Sequence, residues 1–262
     1  MRLSMAGMAK TTMLVATICA ATVVLDSQSH ATVIDNRSSH LRTWEVGTGR
    51  VPLVLLHGYG SSPDQWLPFT ETIRIPADHR FVFPEAPQAS TPPDGPPGGR
   101  AWWRLNLASY RAPRNGLPDL SRAHPPGLRR SVESMQRLTA DLQQRLGYRQ
   151  DALILGGFSQ GAMIAADVAF RTTMPMKALV LLSGTAVDEP SWNAAMRARR
   201  GLPVFIAHGR RDNVLPFDIA ERVQQTMRAA GLNVTWIPFE GGHEIPAEVV
   251  DALNDFLATA AR

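Results

Sequence analysis

The sequence predicts an α/β fold, with a mostly parallel central sheet carrying helices on both faces. Short continuous apolar runs recur from Val51 to Ile237, as expected of strands buried on both sides. Amphipathic stretches of helical length separate them. Strands alternating with helices of that size imply right-handed crossovers and a sheet covered on both faces.

The elements follow in order along the 262 residues. Residues 51–56 are the first core strand, and residues 80–83 are a second, ended by Pro84. A periodic stretch from 128 to 146 reads as a helix stopped by Gly147. Residues 151–155 form the next strand, running into Gly156-Gly157, and residues 160–171 the helix after it. Further strands are expected at 178–182, 204–207 and 234–237. Helices are expected at 192–200, 217–230 and about 247–260. The chain contains no internal repeat, and no linker divides residues 32–262, which read as a single domain.

Residues 1–31 stand apart. Arg2 and Lys10 precede an apolar run from Met13 to Leu25, too short for an ordinary membrane span of about 20 residues. Ser29-His30-Ala31 places small residues at −3 and −1 of a cleavage after Ala31, so the segment reads as an export signal peptide. The expected location is then periplasmic or secreted, with no stable membrane span in the mature chain. The alternatives are an uncleaved N-terminal membrane anchor, or a start codon placed too early before a cytoplasmic enzyme. Cys19, the single cysteine, falls in this leader, which excludes an intramolecular disulfide, a CxxC redox pair and a zinc–thiolate site. The net charge of +4 comes from 27 Lys+Arg against 23 Asp+Glu. These cations are scattered among acids instead of clustered with aromatics, so no nucleic-acid partner is implied.

One segment breaks the alternation. Residues 84–127 hold ten of the twenty prolines and the pair Trp102-Trp103. A loop that long in a compact fold is usually functional or disordered. It reads as a lid, with the aromatic pair as a pocket wall.

The chemistry sits at strand ends. Gly157-Phe158-Ser159-Gln160-Gly161 is a G-x-S-x-G turn between a strand and a helix, the context in which a serine hydroxyl projects above a sheet. Its flanking positions need small residues because helix and strand approach closely there. A serine hydroxyl is a weak nucleophile and needs a base beside it, and an acid to orient that base. For such a turn the chain order is Ser, then Asp or Glu, then His. Asp212, in His208-Gly209-Arg210-Arg211-Asp212, and His243, in Gly241-Gly242-His243-Glu244, each follow a strand in that order. The plain alternatives are that Asp212 caps a turn and that His243 is an exposed loop histidine. His57, at the end of the first core strand, reads as organising its turn, and His208 as shaping the Asp212 loop. Negative charge developing on a substrate carbonyl needs preorganised donors, expected from the backbone N–H groups of Tyr59 and Gln160. Their side chains should therefore matter less than the surrounding backbone. No His-x-x-x-His pair, P-loop or helix-opening G-x-G-x-x-G occurs, so neither a metal nor another cofactor is implied.

Four spaced motifs, Leu56-His57-Gly58-Tyr59-Gly60, the Ser159 turn, the Asp212 loop and the His243 loop, resemble the phospholipase/carboxylesterase family of α/β-hydrolases. That family includes bacterial carboxylesterases and acyl-protein thioesterases. The resemblance runs from about residue 43 to the C-terminus. It implies the α/β-hydrolase fold, Ser159 as nucleophile, His243 as base, Asp212 as orienting acid, and Tyr59 and Gln160 as oxyanion donors. Arg100-Ala101-Trp102-Trp103 resembles the stretch lining the acyl pocket in that family. Ala162 stands where the thioesterase branch has a second glycine, and the histidine loop is closer to the bacterial esterases. The expected function is hydrolysis of small to medium-chain carboxylic esters, with a small-molecule ester as partner. The alternatives are a lysophospholipase or acyl thioesterase with the same triad, and a non-catalytic binding relative.

Overall fold

The computed structural model describes residues 31–90, 96–105, 117 and 119–260. Residues 1–30 of the expected leader lie outside the described residues, as do parts of the Pro-rich segment. Ten strands and five α-helices are described. They are β1 (Thr32–Asn36), β2 (Leu41–Val46), β3 (Val51–Leu56), β4 (His79–Pro84), β5 (Gln88–Ala89), β6 (Arg100–Ala101), α1 (Leu128–Leu146), β7 (Ile154–Phe158), α2 (Gln160–Arg171), β8 (Ala178–Leu182), α3 (Glu189–Met196), β9 (Pro203–Gly209), α4 (Phe217–Ala229), β10 (Asn233–Phe239) and α5 (Ala247–Ala260).

Eight strands form one sheet in the order β1-β2-β4-β3-β7-β8-β9-β10. The six from β4 to β10 are mutually parallel, and β1 and β2 add an antiparallel edge. The edge pair escapes the search for apolar runs because it is half-solvated. In β2, Leu41, Thr43 and Glu45 are buried while Arg42, Trp44 and Val46 are less so, the alternation of a one-sided strand. Among the buried residues of β2 is Glu45, whose carboxylate pairs with Arg80 at 3.0 Å and with Arg145 of α1.

The central strands alternate between two cores. Val54, Leu56, Leu155, Leu179, Leu181, Val204 and Ile206 face α1, α2, α3 and α4. Leu53, Leu55, Ile154, Val180, Leu182, Phe205 and Ala207 face α5 and the 3-10 segment Pro63–Glu71. Helices thus cover both faces, unequally. Within α1, Leu128, Val132, Met135, Leu138 and Leu142 recur at three- and four-residue spacing and are buried, and Gly147 ends the helix at φ 68°.

Two boundaries differ from the sequence expectation. The strand expected at 151–155 begins at Ile154, after a 3-10 turn, and continues through both glycines to Phe158. It can do so because Gly156 and Gly157 pair with Leu55 and Leu56 on one side and Val180 and Leu181 on the other. The helix expected at 192–200 is shorter and earlier, since Asp188 turns the chain at φ 49° and Pro190 opens the first turn. Within the Pro-rich segment, β5 and β6 pair antiparallel as a small second sheet. Arg100 also exchanges backbone hydrogen bonds with Gly60 and Ser61, tying the segment to the loop after β3.

Candidate active site

The site is built where β3, β7, β9 and β10 end. Strand β7 stops at Phe158, and Ser159 takes φ 55°, ψ −118° before α2 begins at Gln160. Positive φ is uncommon for a residue with a side chain and costs of order 1–3 kcal/mol, so the surroundings must hold it there. Part of the hold is the Ser159 N–H, which donates to the Leu182 carbonyl at 2.8 Å. The rest is close packing. A Cβ on Gly161 would lie 2.1 Å from the Leu56 carbonyl oxygen, and one on Gly157 would lie 2.5 Å from the Gly161 carbonyl carbon. Both flanking positions therefore require glycine, as the motif predicts.

His243 and Asp212 converge on Ser159 from β10 and β9. The Ser159 hydroxyl lies 2.9 Å from His243 Nε2, and His243 Nδ1 lies 2.7 Å from Asp212 Oδ2. A carboxylate only accepts, so Nδ1–H donates to Asp212 and Nε2 is left to accept from the hydroxyl. The Phe158 ring packs against the His243 ring with centroids 4.8 Å apart. Asp212 has a buried side chain and serves two purposes. Its Oδ1 accepts from the Val214 and Leu215 N–H groups at 2.8 Å each, capping the turn, while Oδ2 faces His243. Burial alone would raise its pKa, but hydrogen bonds from His208 and then His243 outweigh burial and keep the carboxyl well below the usual carboxylate range.

The loop after β3 lies against the serine. A Cβ on Gly58 would sit 3.3 Å from the Ser159 Cβ, so the Tyr59 backbone follows beside it. His57 holds this loop from within. Its Nδ1 donates to the Gly58 carbonyl at 2.8 Å, and its Nε2 accepts from the Ala86 N–H at 3.1 Å. Burial pushes its pKa down from 6.5 to about 4.

The three residues expected to line a pocket are placed differently. Trp102 and Trp103 are both 0% exposed and belong to the core, so they form no open wall. The Trp102 ring and the backbone of the pair are bonded inside the protein, while the Trp103 indole N–H is buried with no hydrogen-bond partner. The Trp102 indole N–H donates to the His57 carbonyl at 2.9 Å. Gln160, also 0% exposed, accepts from the Trp102 N–H and donates to the Trp103 carbonyl, at 2.9 Å each. Arg100 is half-buried, and its Nε donates to the Ala86 carbonyl at 2.8 Å. The expectation that the Gln160 side chain matters little is therefore corrected, because it ties the start of α2 to the Trp pair. Its polarity between a serine and a glycine at a helix start was the one sequence signal of this role.

A serine, an imidazole and a carboxylate hydrogen-bonded in series at strand ends of a largely parallel sheet define an α/β-hydrolase. The chain belongs to the phospholipase/carboxylesterase family, whose profile matches residues 49–261. It is 26% identical over 214 residues to acyl-protein thioesterase 1 of Yarrowia lipolytica, covering 77% of this chain and 88% of that one. It is 30% identical over 173 residues to acyl-protein thioesterase 1 of Kluyveromyces lactis, covering 63% and 70%. Among solved structures, esterase PE8 superposes with a TM-score of 0.69 at 27% identity, over 82% of this chain and 97% of that one. The Bacillus cereus carboxylesterase shares the fold at a TM-score of 0.63 and 18% identity, over 86% and 97%. The protein is a carboxylic ester hydrolase of the carboxylesterase and thioesterase type.

Proposed function

We propose that the chain hydrolyses acyl thioesters and carboxylic esters through a Ser159–His243–Asp212 triad. The observation that carries this is the unbroken series of hydrogen bonds, 2.9 Å from hydroxyl to imidazole and 2.7 Å from imidazole to carboxylate. Ser159 Oγ attacks the acyl carbon while His243 Nε2 takes its proton. The carbonyl oxygen gains negative charge, which the backbone N–H groups of Gln160 and Tyr59 stabilise. His243 then returns the proton to the leaving thiol or alcohol, and water deacylates Ser159 by the same route. Asp212 remains ionised throughout and stabilises the imidazolium.

Acyl-protein thioesterase relatives favour the thioester over the small-ester reading. The likeness to esterase PE8 keeps short carboxylic esters as the second reading. A panel of matched oxygen esters and thioesters from C2 to C16 separates them by kcat/KM. Ser159→Ala should lower kcat about 10⁶-fold on either series, and equal rates in variant and wild type would sink the proposal. Residues 1–31, read as an export leader, precede the family match at residue 49. N-terminal sequencing of enzyme recovered from each cell fraction tests that reading.

A further inference from the structure

A second histidine touches the triad carboxylate. His208, near the end of β9, has a fully buried side chain, and its Nε2 lies 3.3 Å from Asp212 Oδ2 and 3.2 Å from the Leu215 carbonyl. Both neighbours are acceptors, so the ring carries a proton on Nε2, hydrogen-bonded to the Leu215 carbonyl with Asp212 Oδ2 beside it. Its ring is held edge-on to Phe217, centroids 6.0 Å apart, and Phe217 in turn packs on Trp236 and under the Arg210 guanidinium. The far nitrogen, Nδ1, is buried with no hydrogen-bond partner. That arrangement suits a bare lone pair, because a second N–H there would be a buried donor without an acceptor.

We propose that His208 is a positioning residue for the reaction, fixing the Asp212 carboxylate so that Oδ2 stays aimed at His243. This rests on the triad reading above. A carboxylate offers about four acceptor sites. Here the two amides of Val214 and Leu215 take Oδ1, the His243 ring takes Oδ2, and the His208 Nε2–H lies beside Oδ2 at 3.3 Å. Three hydrogen bonds and this fourth, longer contact leave the carboxylate little freedom to turn toward another donor. His243 gains a positive charge when it accepts the Ser159 proton, and a carboxylate already held in place meets that charge without rearrangement. The second donor on Oδ2 draws charge from that oxygen and keeps the shared proton on His243 Nδ1.

The experiment compares His208→Gln, His208→Asn and His208→Phe with wild type and with Ser159→Ala. Glutamine places an amide N–H near the position of Nε2, asparagine is too short to reach Asp212, and phenylalanine keeps the ring shape without the donor. Four quantities are read: kcat and KM on p-nitrophenyl butyrate, the melting temperature, and the downfield proton resonance of His243 Nδ1–H. The Phe and Asn variants should lose about 10- to 100-fold in kcat, the size of one hydrogen bond to a charged group, with KM changed less than about twofold. Their Nδ1–H resonance should move, while His208→Gln recovers most of kcat and the wild-type resonance. If Phe and Asn variants keep wild-type kcat, the inference is overturned. Equal losses in all three variants with an unmoved resonance also overturn it, leaving His208 a structural residue only. If His208→Phe does not fold, the Gln and Asn pair decides. Full activity in Ser159→Ala would instead sink the triad reading, so the two failures are distinguishable.

Discussion

Replacing Gln160 by alanine tests whether its side chain, as well as its backbone, serves the site. The side chain is fully buried and makes two hydrogen bonds, from the Trp102 N–H and to the Trp103 carbonyl, both 2.9 Å. Alanine would leave two buried backbone groups unpaired, at about 1–3 kcal/mol each, so the pair costs about 2–6 kcal/mol. For a chain of this size each kcal/mol lowers the melting temperature by about 2–4 °C, which gives a fall of about 4–24 °C. Activity should suffer too, although residue 160 keeps its N–H. Trp102 holds the His57 carbonyl through its indole, so a shifted Trp102 moves the loop carrying Tyr59. A displacement near 1 Å in an oxyanion donor can cost up to about 10²-fold in rate. The assays are thermal denaturation by circular dichroism and kcat on p-nitrophenyl butyrate. Gln160→Glu should not restore the wild type, because it sets a carboxylate oxygen against the Trp103 carbonyl. A Gln160→Ala variant melting within about 1 °C of wild type, with kcat within twofold, would rule out this role for the side chain.

Two further outcomes follow from buried ionisable groups. The unfolded chain protonates His57 near pH 6.5 but the folded one only near pH 4, so its contribution is full above pH 6.5 and is lost as pH falls between those values. The loss is about 3 kcal/mol, and urea denaturation from pH 7.5 to 4.5 should show a shallower fall for His57→Gln; an equally steep fall in that variant counts against the assignment. Glu45 lies buried between Arg80 and Arg145 and accepts from the Thr43 hydroxyl at 3.1 Å. Glu45→Ala should cost about 3–5 kcal/mol by stranding both guanidinium groups, with kcat of the folded enzyme unchanged; a stable variant with impaired kcat would contradict this.

The legible parts of the fold share one property, that their signal is local. The 3.6-residue period of α1, its stop at Gly147 and the runs of β3 and β8 depend on neighbours within a few positions. The unread edge strands β1 and β2 carry a weaker mark, because one face is solvated and Glu45 sits where an apolar residue would be expected. The Trp pair misleads for a related reason. Aromatic residues in a Pro-rich loop look like a ligand wall, but whether such rings face a ligand or the core depends on what bonds their polar groups. Here His57, distant in sequence, bonds the Trp102 ring, and Gln160 bonds the backbone of the pair.

Local sequence carries the α/β alternation, the strand-to-helix turn at Ser159 and the chain order of Ser159, Asp212 and His243. Each is written in a stretch of a few residues whose steric and periodic demands are local. Long-range packing brings two histidines to Asp212, fastens the Trp pair through Gln160, and crowds four helices on one face of the sheet while α5 covers the other. Those features depend on which strand ends meet, and strand neighbours are set by burial of the whole sheet, which no short window of sequence contains.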